Sequence, residues 1–369
     1  RASDIHFEPY EDQLIIRFRV DGILKEVLSQ DSRIASLVIA RIKIISRLDI
    51  SERRLPQDGR VSLSLGDKSV DVRVSTLPSS YGERIVLRLL DKQSAQINID
   101  DLGLPKQILH NYKKSLKSSE GIILFTGPTG SGKTTTLYAG LRDLSDSSQN
   151  ILTVEDPIEY TLKGIGQTQV NNKTGYTFAK GLRAMLRQDP DVMMVGEIRD
   201  IETAQIAIQS SLTGHLVLST VHTNSAVGAI TRLRDMGIES FLLSSSLRSI
   251  ISQRLVRRLC NSCKEEIHAS DEAIKLFNLN NESKVFIANG CDECSHSGFQ
   301  GRIAIAECIQ VDQITRDLIH QKAAESKIIE HVFKDHPSID DASRELIIQG
   351  ITSCEEIMRL NNLKEDASL

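Results

Sequence analysis

Gly127-Pro128-Thr129-Gly130-Ser131-Gly132-Lys133-Thr134 is a segment of this 369-residue chain whose residue types point to phosphate chemistry. Glycines at 127, 130 and 132 let backbone N–H groups curl around an oxyanion without steric cost. Lys133 is long enough to reach the β- and γ-phosphates of a nucleotide, and the Thr134 hydroxyl can ligate Mg²⁺; Thr135 carries the loop onward into a helical pattern. The apolar run Ile122 to Phe125 precedes the loop. That strand–loop–helix order adds the positive end of a helix to the phosphate cradle. ATP with Mg²⁺ is the expected ligand.

Other candidates fall at the ends of further apolar runs. Val192 to Val195 leads into Gly196-Glu197. Most phosphate-loop enzymes carry an Asp at the end of this strand to hold Mg²⁺. Here Gly196 precedes the acid, so Glu197 is expected to act as a general base or to orient water. Ile151 to Val154 ends in Glu155-Asp156-Pro157-Ile158-Glu159. These carboxylates beside a phosphate site would repel one another without a cation. Glu155 and Glu159 are therefore expected to shape the metal's water shell, with Glu159 the reserve candidate for the base. His215 and His222 flank Leu216 to Val221, and His222, at the carboxyl end, is the better active-site candidate. Arg183 and Arg187 are four apart on a helical segment, and Arg199 comes two residues after Glu197; surface charge is the plain alternative for all three.

Cys260 and Cys263, then 27 residues, then Cys291 and Cys294, form a tetrathiolate pattern. Two C-x-x-C knuckles joined by one tetrahedral Zn²⁺ make a closed structural site. Cys308 and Cys354 fall outside it and are expected to be buried thiols. With no secretory signal, a reducing compartment is expected.

These groups need elements to position them. The short apolar runs alternate with helical stretches, the pattern of parallel strands in a doubly wound α/β domain, which binds ligands at the carboxyl ends of its strands. Before it, residues 1–100 alternate apolar and charged, with turns at Asp21-Gly22 and Gly66-Asp67, and predict a small α+β domain. In this unit Val70, Val72 and Val74 are expected to point inward, with Asp71 and Arg73 outward. Residues 101–105 are expected to be a linker, 106–255 the ATPase core, 256–300 the cysteine subdomain, and 301–369 a helical C-terminal region. Hydrophobic residues make up 40%, charged residues 25%, and the formal net charge is −4. That composition is globular, excludes long disorder, and supplies no global basicity for nucleic acid. No apolar run approaches the roughly 20 residues of a membrane span. The chain begins at Arg1 without Met, and a preceding region is expected.

Together these motifs resemble the secretion ATPase superfamily, the motors of type II secretion, type IV pilus assembly and DNA uptake. The resemblance is carried by residues 127–134, Glu155 to Tyr160, Val195-Gly196-Glu197-Ile198-Arg199-Asp200, and Thr213-Gly214-His215 through His222-Thr223-Asn224. Arg1-Ala-Ser-Asp-Ile-His-Phe-Glu-Pro9, Arg17 to Gly22 and Ser75 to Arg84 match as well. The wording from Leu77 through Lys92 is most like the type II secretion branch. The resemblance implies a RecA-like P-loop ATPase domain with a parallel sheet, preceded by a small α+β domain and followed by a zinc-binding subdomain and C-terminal helices. It implies that Arg73 and Arg88 reach the nucleotide phosphates when the two domains close, and that Arg183, Arg187 and Arg199 surround the site. It also implies a hexameric ring, cytoplasmic and peripheral on the bacterial inner membrane, acting on inner-membrane platform proteins to drive pseudopilus assembly. Membrane contact would be indirect, and no nucleic acid is expected. Pilus assembly is the alternative reading, and a ring-shaped nucleic-acid translocase a more distant one.

Overall fold

The computed structural model describes residues 2–65, 68–90, 97–145 and 148–365, and the chain divides into two units, Arg1–Gln96 and Ile97–Leu369. In the first, alternating apolar and polar residues form six antiparallel strands: β1 (Ala2–Pro9), β2 (Gln13–Val20), β3 (Ile23–Asp31), β4 (Gln57–Leu65), β5 (Lys68–Ser79) and β6 (Gly82–Leu90). Their order in the sheet is β3-β2-β1-β6-β5-β4. Asp21 and Gly22 both take positive φ, 49° and 88°, which matches the twist a two-residue hairpin loop demands. The expected turn at Gly66-Asp67 lies outside the described residues. Val72, Val74 and Ile85 form the core with Ile39 of the helix Ala35–Ile45, while Val70 is half-buried and Asp71 and Arg73 lie on the other face. That helix turns only part of its apolar residues inward, since Leu37 and Ile44 are exposed.

The same helix buries Lys43. Its Nζ donates to both Glu83 oxygens at 2.8 and 3.0 Å and to Glu52 O at 2.7 Å. Sequence periodicity alone could not distinguish this cation from a solvated one.

The second unit is built on β7 (Gly121–Thr126), β8 (Ile151–Glu155), β9 (Gly166–Gln169), β10 (Val192–Val195), β11 (Leu216–Val221), β12 (Leu247–Leu259), the small hairpin β13 (Lys264–His268) with β14 (Lys284–Ala288), and β15 (Phe299–Gln310). Seven of these form one sheet in the order β15-β12-β7-β11-β10-β8-β9. It is parallel from β9 to β12, and β15 runs antiparallel against β12. The four strands expected from apolar runs are all present and fully or largely buried, because helices cover both faces. Helices Phe178–Met185, Ile201–Ser211 and Ala226–Asp235 pack on one face, and Lys106–Leu116 and Lys133–Leu144 on the other.

The expected boundaries shift at three places. Residues 101–105 are no free linker: Ile99 and Leu104 are buried in the second unit's core, which begins at Ile97. β12 crosses the expected edge at 255, and β15 occupies the start of the region expected to be helical. Both strands escaped notice because polar side chains interrupt their apolar runs; Ser249, Ser252, Gln253, Arg254 and Glu307 are buried in them. The cysteine segment and the last helices share one core, in which Val256 and Ile305 meet Phe277, Ile347 and Ile357. Among the isoleucines in the C-terminal helices, Ile328 and Ile347 are buried, while Ile314, Ile329 and Ile348 are exposed. No helix among the described residues is long and apolar enough to cross a membrane.

Removing one partner of the Lys43–Glu83 pair strands a buried charge, which typically costs about 3–5 kcal/mol. Lys43→Met should therefore destabilise the first unit by that order. Equilibrium denaturation with a probe in that unit checks it, and a parent-like midpoint would show that the pair is dispensable.

Candidate functional site

The carboxyl ends of β7, β8, β10 and β11 lie side by side, since Thr126 pairs with Val221, Ser219 with Val195, and Val195 with Val154. Every candidate placed just after one of those strands is thereby gathered at one edge of the sheet.

The phosphate loop leaves β7 and opens the helix Lys133–Leu144, whose N-cap Gly132 has φ 88°. Gly127, at φ 139°, is required by close approach: a Cβ there would stand 2.2 Å from Gln253 O. Lys133 is only 9% exposed, and its Nζ donates to Gly127 O at 2.7 Å and Pro128 O at 3.0 Å. Burial pushes its pKa down to about 8, with the charge of Glu197 pulling it partway back up. The cation is thus held by neutral carbonyls where an anion would stabilise it far better. Ser131 is also buried, and its Oγ has no hydrogen-bond partner. Thr134 is exposed at the first turn of the helix, with Thr135 half-buried behind it. An orphaned hydroxyl, an undercompensated ammonium and an available Thr134 hydroxyl fit a phosphate chain with its divalent cation.

Glu197 comes directly after Gly196 and is largely buried. The structure brings it together with His222, Nε2 to Oε2 3.3 Å, and with Arg199, Nη2 to Oε1 2.5 Å. Thr220 Oγ1 donates to Gly196 O at 2.8 Å, and Ile198 N to Thr220 O at 2.9 Å, which fixes the loop carrying Glu197 to β11. The turn carrying His222 is tied to the base of the phosphate loop: Thr126 Oγ1 donates to Thr223 O at 2.6 Å and accepts from Thr223 N at 3.0 Å. His215 sits at the opposite end of β11 beside Ser210 O, away from this edge.

Glu155 is buried at the end of β8 with both oxygens engaged. Oε1 accepts from Thr153 at 2.6 Å and Gln167 at 3.1 Å, and Oε2 accepts from the Tyr138 phenol. Burial pushes its carboxyl up from the ordinary range, against these hydrogen bonds. The hydroxyl that engages it belongs to the helix of the phosphate loop, so Glu155 fixes that helix to β8. The Glu159 N–H also lies 3.4 Å from the Tyr138 oxygen.

Arg183 and Arg187 are exposed. Arg183 pairs with Glu202 at 2.7 Å, and Arg187 Nη1 donates to Arg183 O at 2.8 Å. Among the described residues neither hydrogen-bonds to the phosphate loop or to Glu197. Arg73 and Arg88 stand directly opposite each other on β5 and β6 of the first unit. Arg88 Nε donates to Asp4 at 2.8 Å. Burial pushes the Asp4 carboxyl up, but the Arg88 and Ser3 hydrogen bonds and the charges of Arg88 and Arg19 hold it below the usual range. Glu8 is held the same way by Arg17 and Arg84. This face of the sheet, expected only to be solvated, carries buried carboxylates.

The four cysteine sulfurs lie within 4.8 Å of one another. Cys260 to Cys291 is 3.9 Å, and Cys263 to Cys294 and Cys291 to Cys294 are each 3.8 Å. A tetrahedron with metal–sulfur bonds of about 2.3 Å has edges of about 3.8 Å, so the cluster has the dimensions of a zinc site. The Cys291 and Gly298 N–H groups donate to Cys294 Sγ at 3.1 and 3.2 Å, as expected around a thiolate. Cys308 and Cys354 are buried elsewhere.

The sequence reading missed Tyr138, Gln167, Gln253 and Arg254. For the last two a signal existed: the polar tripeptide Ser252-Gln253-Arg254 set between the apolar pairs Ile250-Ile251 and Leu255-Val256.

Because Lys133 titrates near pH 8 without a ligand, phosphate binding above that pH must be accompanied by proton uptake. Affinity for a non-hydrolysable ATP analogue should be steady below about pH 8 and weaken by about tenfold per unit just above it. Lys133→Arg, always charged, should lose that slope. Calorimetry across pH from about 7 to 10 checks it, and a flat profile for the parent would contradict the low Lys133 pKa.

A sequence model of the family described as Type II/IV secretion system protein matches residues 1–359. The type II secretion system ATPase E of Vibrio cholerae is 56% identical over 361 residues, covering 97% of this chain and 72% of that protein. The type II secretion system protein E of Pseudomonas aeruginosa is 55% identical over the same shares. Among solved structures, the pilus retraction motor PilT with bound ADP aligns at TM-score 0.66 and 25% identity, covering 97% of this chain and 92% of that one. The Legionella pneumophila ATPase DotB shares the fold at TM-score 0.72 and 22% identity, covering 98% and 92%. With strands, phosphate loop and Glu197–His222 edge all in one chain, this protein belongs to the type II/IV secretion system family of ATPases.

Proposed function

We propose that this chain is the ATP-hydrolysing motor of a bacterial type II secretion system, powering protein export by driving pseudopilus assembly. The observation that carries the reading is the meeting, at one sheet edge, of a buried phosphate-loop lysine with Glu197, itself braced by His222 and Arg199. The high identity to type II secretion ATPases favours that branch over pilus assembly.

ATP lies with its β- and γ-phosphates against the loop 127–135. Lys133 exchanges the Gly127 and Pro128 carbonyls for phosphate oxygens, and the helix N-terminus adds its dipole. The Thr134 hydroxyl would hold Mg²⁺, which would supply positive charge against the phosphate oxygens. Glu197 orients water toward the γ-phosphorus; as the new P–O bond forms and the bond to ADP breaks, the water's proton passes to the Glu197 carboxylate. His222 and Arg199 hold that carboxylate in place. Glu155 and Glu159 shape the rim, with Glu155 acting through Tyr138. Arg73 and Arg88 reach the phosphates on domain closure, which is the mechanical output, while Arg183 and Arg187 stand with Arg199 around the site. The working form is a hexameric ring in the cytoplasm, bound through platform proteins to the inner membrane and touching lipid only indirectly. Cys260, Cys263, Cys291 and Cys294 would hold Zn²⁺, which would tie the cysteine subdomain together.

The test separates binding from chemistry. Lys133→Ala should lose ATP binding and turnover together. Glu197→Gln should bind ATP and retain it unhydrolysed, because the amide keeps the shape but takes no proton. Arg88→Ala should cut turnover by about 10³-fold or more if it acts as an arginine finger. Steady-state phosphate release beside nucleotide retention measures all three, and parent-like turnover in Lys133→Ala would end the ATPase reading.

Metal analysis should find one zinc per chain. A strong chelator should expose residues near 256–300 to proteolysis while β7 to β11 stay protected, since their core does not use the thiols. Four freely alkylated cysteines in the native protein would rule the metal out.

A further inference from the structure

Gln253 sits on β12 one residue beyond Ser252, which pairs with Thr126 at the last position of β7. It is therefore level with the start of the phosphate loop. Only 3% of it is exposed, and both ends of its amide are occupied. Nε2 donates to Ser131 O at 2.9 Å, and Oε1 accepts from Thr136 Oγ1 at 2.8 Å. The partners fix the amide's orientation: a carbonyl can only accept, and the Thr136 hydroxyl can donate.

In a trans peptide the C=O and the following N–H point in opposite directions. Drawing Ser131 O toward Gln253 therefore turns the Gly132 N–H the other way, into the hollow of the loop. Within the loop the side chains do not supply that hold, since Gly132 has none and, among the described residues, the buried Ser131 hydroxyl has no hydrogen-bond partner. The Gln253 backbone carbonyl also walls the loop from outside, where a Cβ at Gly127 would collide with it. The adjacent residue serves the other half of the site. Arg254 Nη2 donates to Asn224 O at 3.0 Å, and Glu307, on β15, accepts from Ala226 N at 2.8 Å. Both restrain the turn that carries His222.

We infer that Gln253 is a positioning residue of the nucleotide site: its amide sets the Ser131–Gly132 peptide plane so that the Gly132 N–H faces the phosphates. The inference rests on the ATP-binding reading above. It needs a donor at this position, and specifically a neutral one. A carboxylate would still accept from Thr136 but would repel Ser131 O and the phosphates behind it.

The experiment measures the dissociation constant of a non-hydrolysable ATP analogue with Mg²⁺ by calorimetry, on the full chain, well below the thermal midpoint. Gln253→Glu should weaken binding by about tenfold or more, and Gln253→Met, similar in length but unable to donate, by about 3- to 10-fold. Both should lower the thermal midpoint, since each leaves buried polar groups unpaired, yet stay folded at the measuring temperature. Parent-like affinity in a folded Gln253→Met overturns the inference. So does a loss of affinity that merely tracks the fraction unfolded, which is what a purely structural role predicts. A parent chain that binds no analogue overturns the ATP reading itself, an outcome distinct from a binding parent with an equally tight Gln253→Glu.

Discussion

An ammonium group held out of water, hydrogen-bonded only to neutral carbonyls and only partly compensated by the charge of Glu197, governs the architecture of the second unit. Lys133 is buried, and the carbonyls of Gly127 and Pro128 accept its hydrogen bonds. Two dipoles cannot repay the desolvation of a full charge, and the depressed pKa records the deficit. Such a loop persists only if its surroundings over-determine it. They do so from three sides. The fully buried strand β7 fixes the entry, Gln253 and Thr136 clasp the middle, and the helix Lys133–Leu144 is secured through Tyr138 to Glu155.

β12 extends that constraint across the unit. Along its 13 residues it contacts the phosphate loop through Gln253 and the His222 turn through Arg254. Further on, Arg257 pairs with Glu356 on the last helix at 2.6 Å and covers the Phe299 ring at 3.8 Å. One residue past the strand is Cys260, a corner of the thiol cluster. A continuous strand transmits strain along its length because its ladder hydrogen bonds resist local bending. β7 pairs with β12 from Leu247 to Ser252 and β15 from Ser249 to Leu259, so the strand is laddered on at least one side along its length. The site and the cysteine segment are thus two ends of one rigid element, which the domain boundary expected at 255 had separated.

Legibility in the sequence tracks what burial does to residue choice. Strands covered on both faces become unbroken apolar runs, and β7, β8, β10 and β11 announced themselves that way. The phosphate loop was legible because its chemistry admits few residue types, and the thiol pairs because a tetrahedral metal fixes their spacing. β12 and β15 were illegible for the opposite reason. Their buried side chains include Gln253, Arg254 and Glu307, each bonded to a partner far away in sequence, and a polar residue with a distant partner looks like a surface residue. Leu37 and Ile314, apolar yet exposed, show the opposite limit: helical spacing says which residues share a face but not whether that face is covered. Arg183 could be assigned to the site only by resemblance; in the structure its geometric partner is Glu202.

The small unit repeats the theme of charges restrained by burial, with the roles of cation and anion exchanged. Asp4 and Glu8 are the fixed members, at 6% and 2% side-chain exposure, while Arg88 and Arg84 are 55% and 40% exposed. A buried carboxylate that loses its arginine bears the full cost of an unpaired charge, whereas a half-exposed guanidinium that moves away is rehydrated. The pairs are therefore asymmetric: the carboxylates are fixed by burial, and the arginines are the members exposed enough to move, each leaving an unpaired buried charge behind unless a new cation replaces it. Arg73 stands opposite Arg88 in the ladder, a like-charge pairing that ordinarily destabilises a sheet. Asp4 neutralises Arg88 from the neighbouring strand and so makes the pairing tolerable. A sheet face of this kind keeps two guanidiniums side by side, charged at every pH the protein meets, on a ladder whose buried carboxylates stay where they are when an arginine swings away.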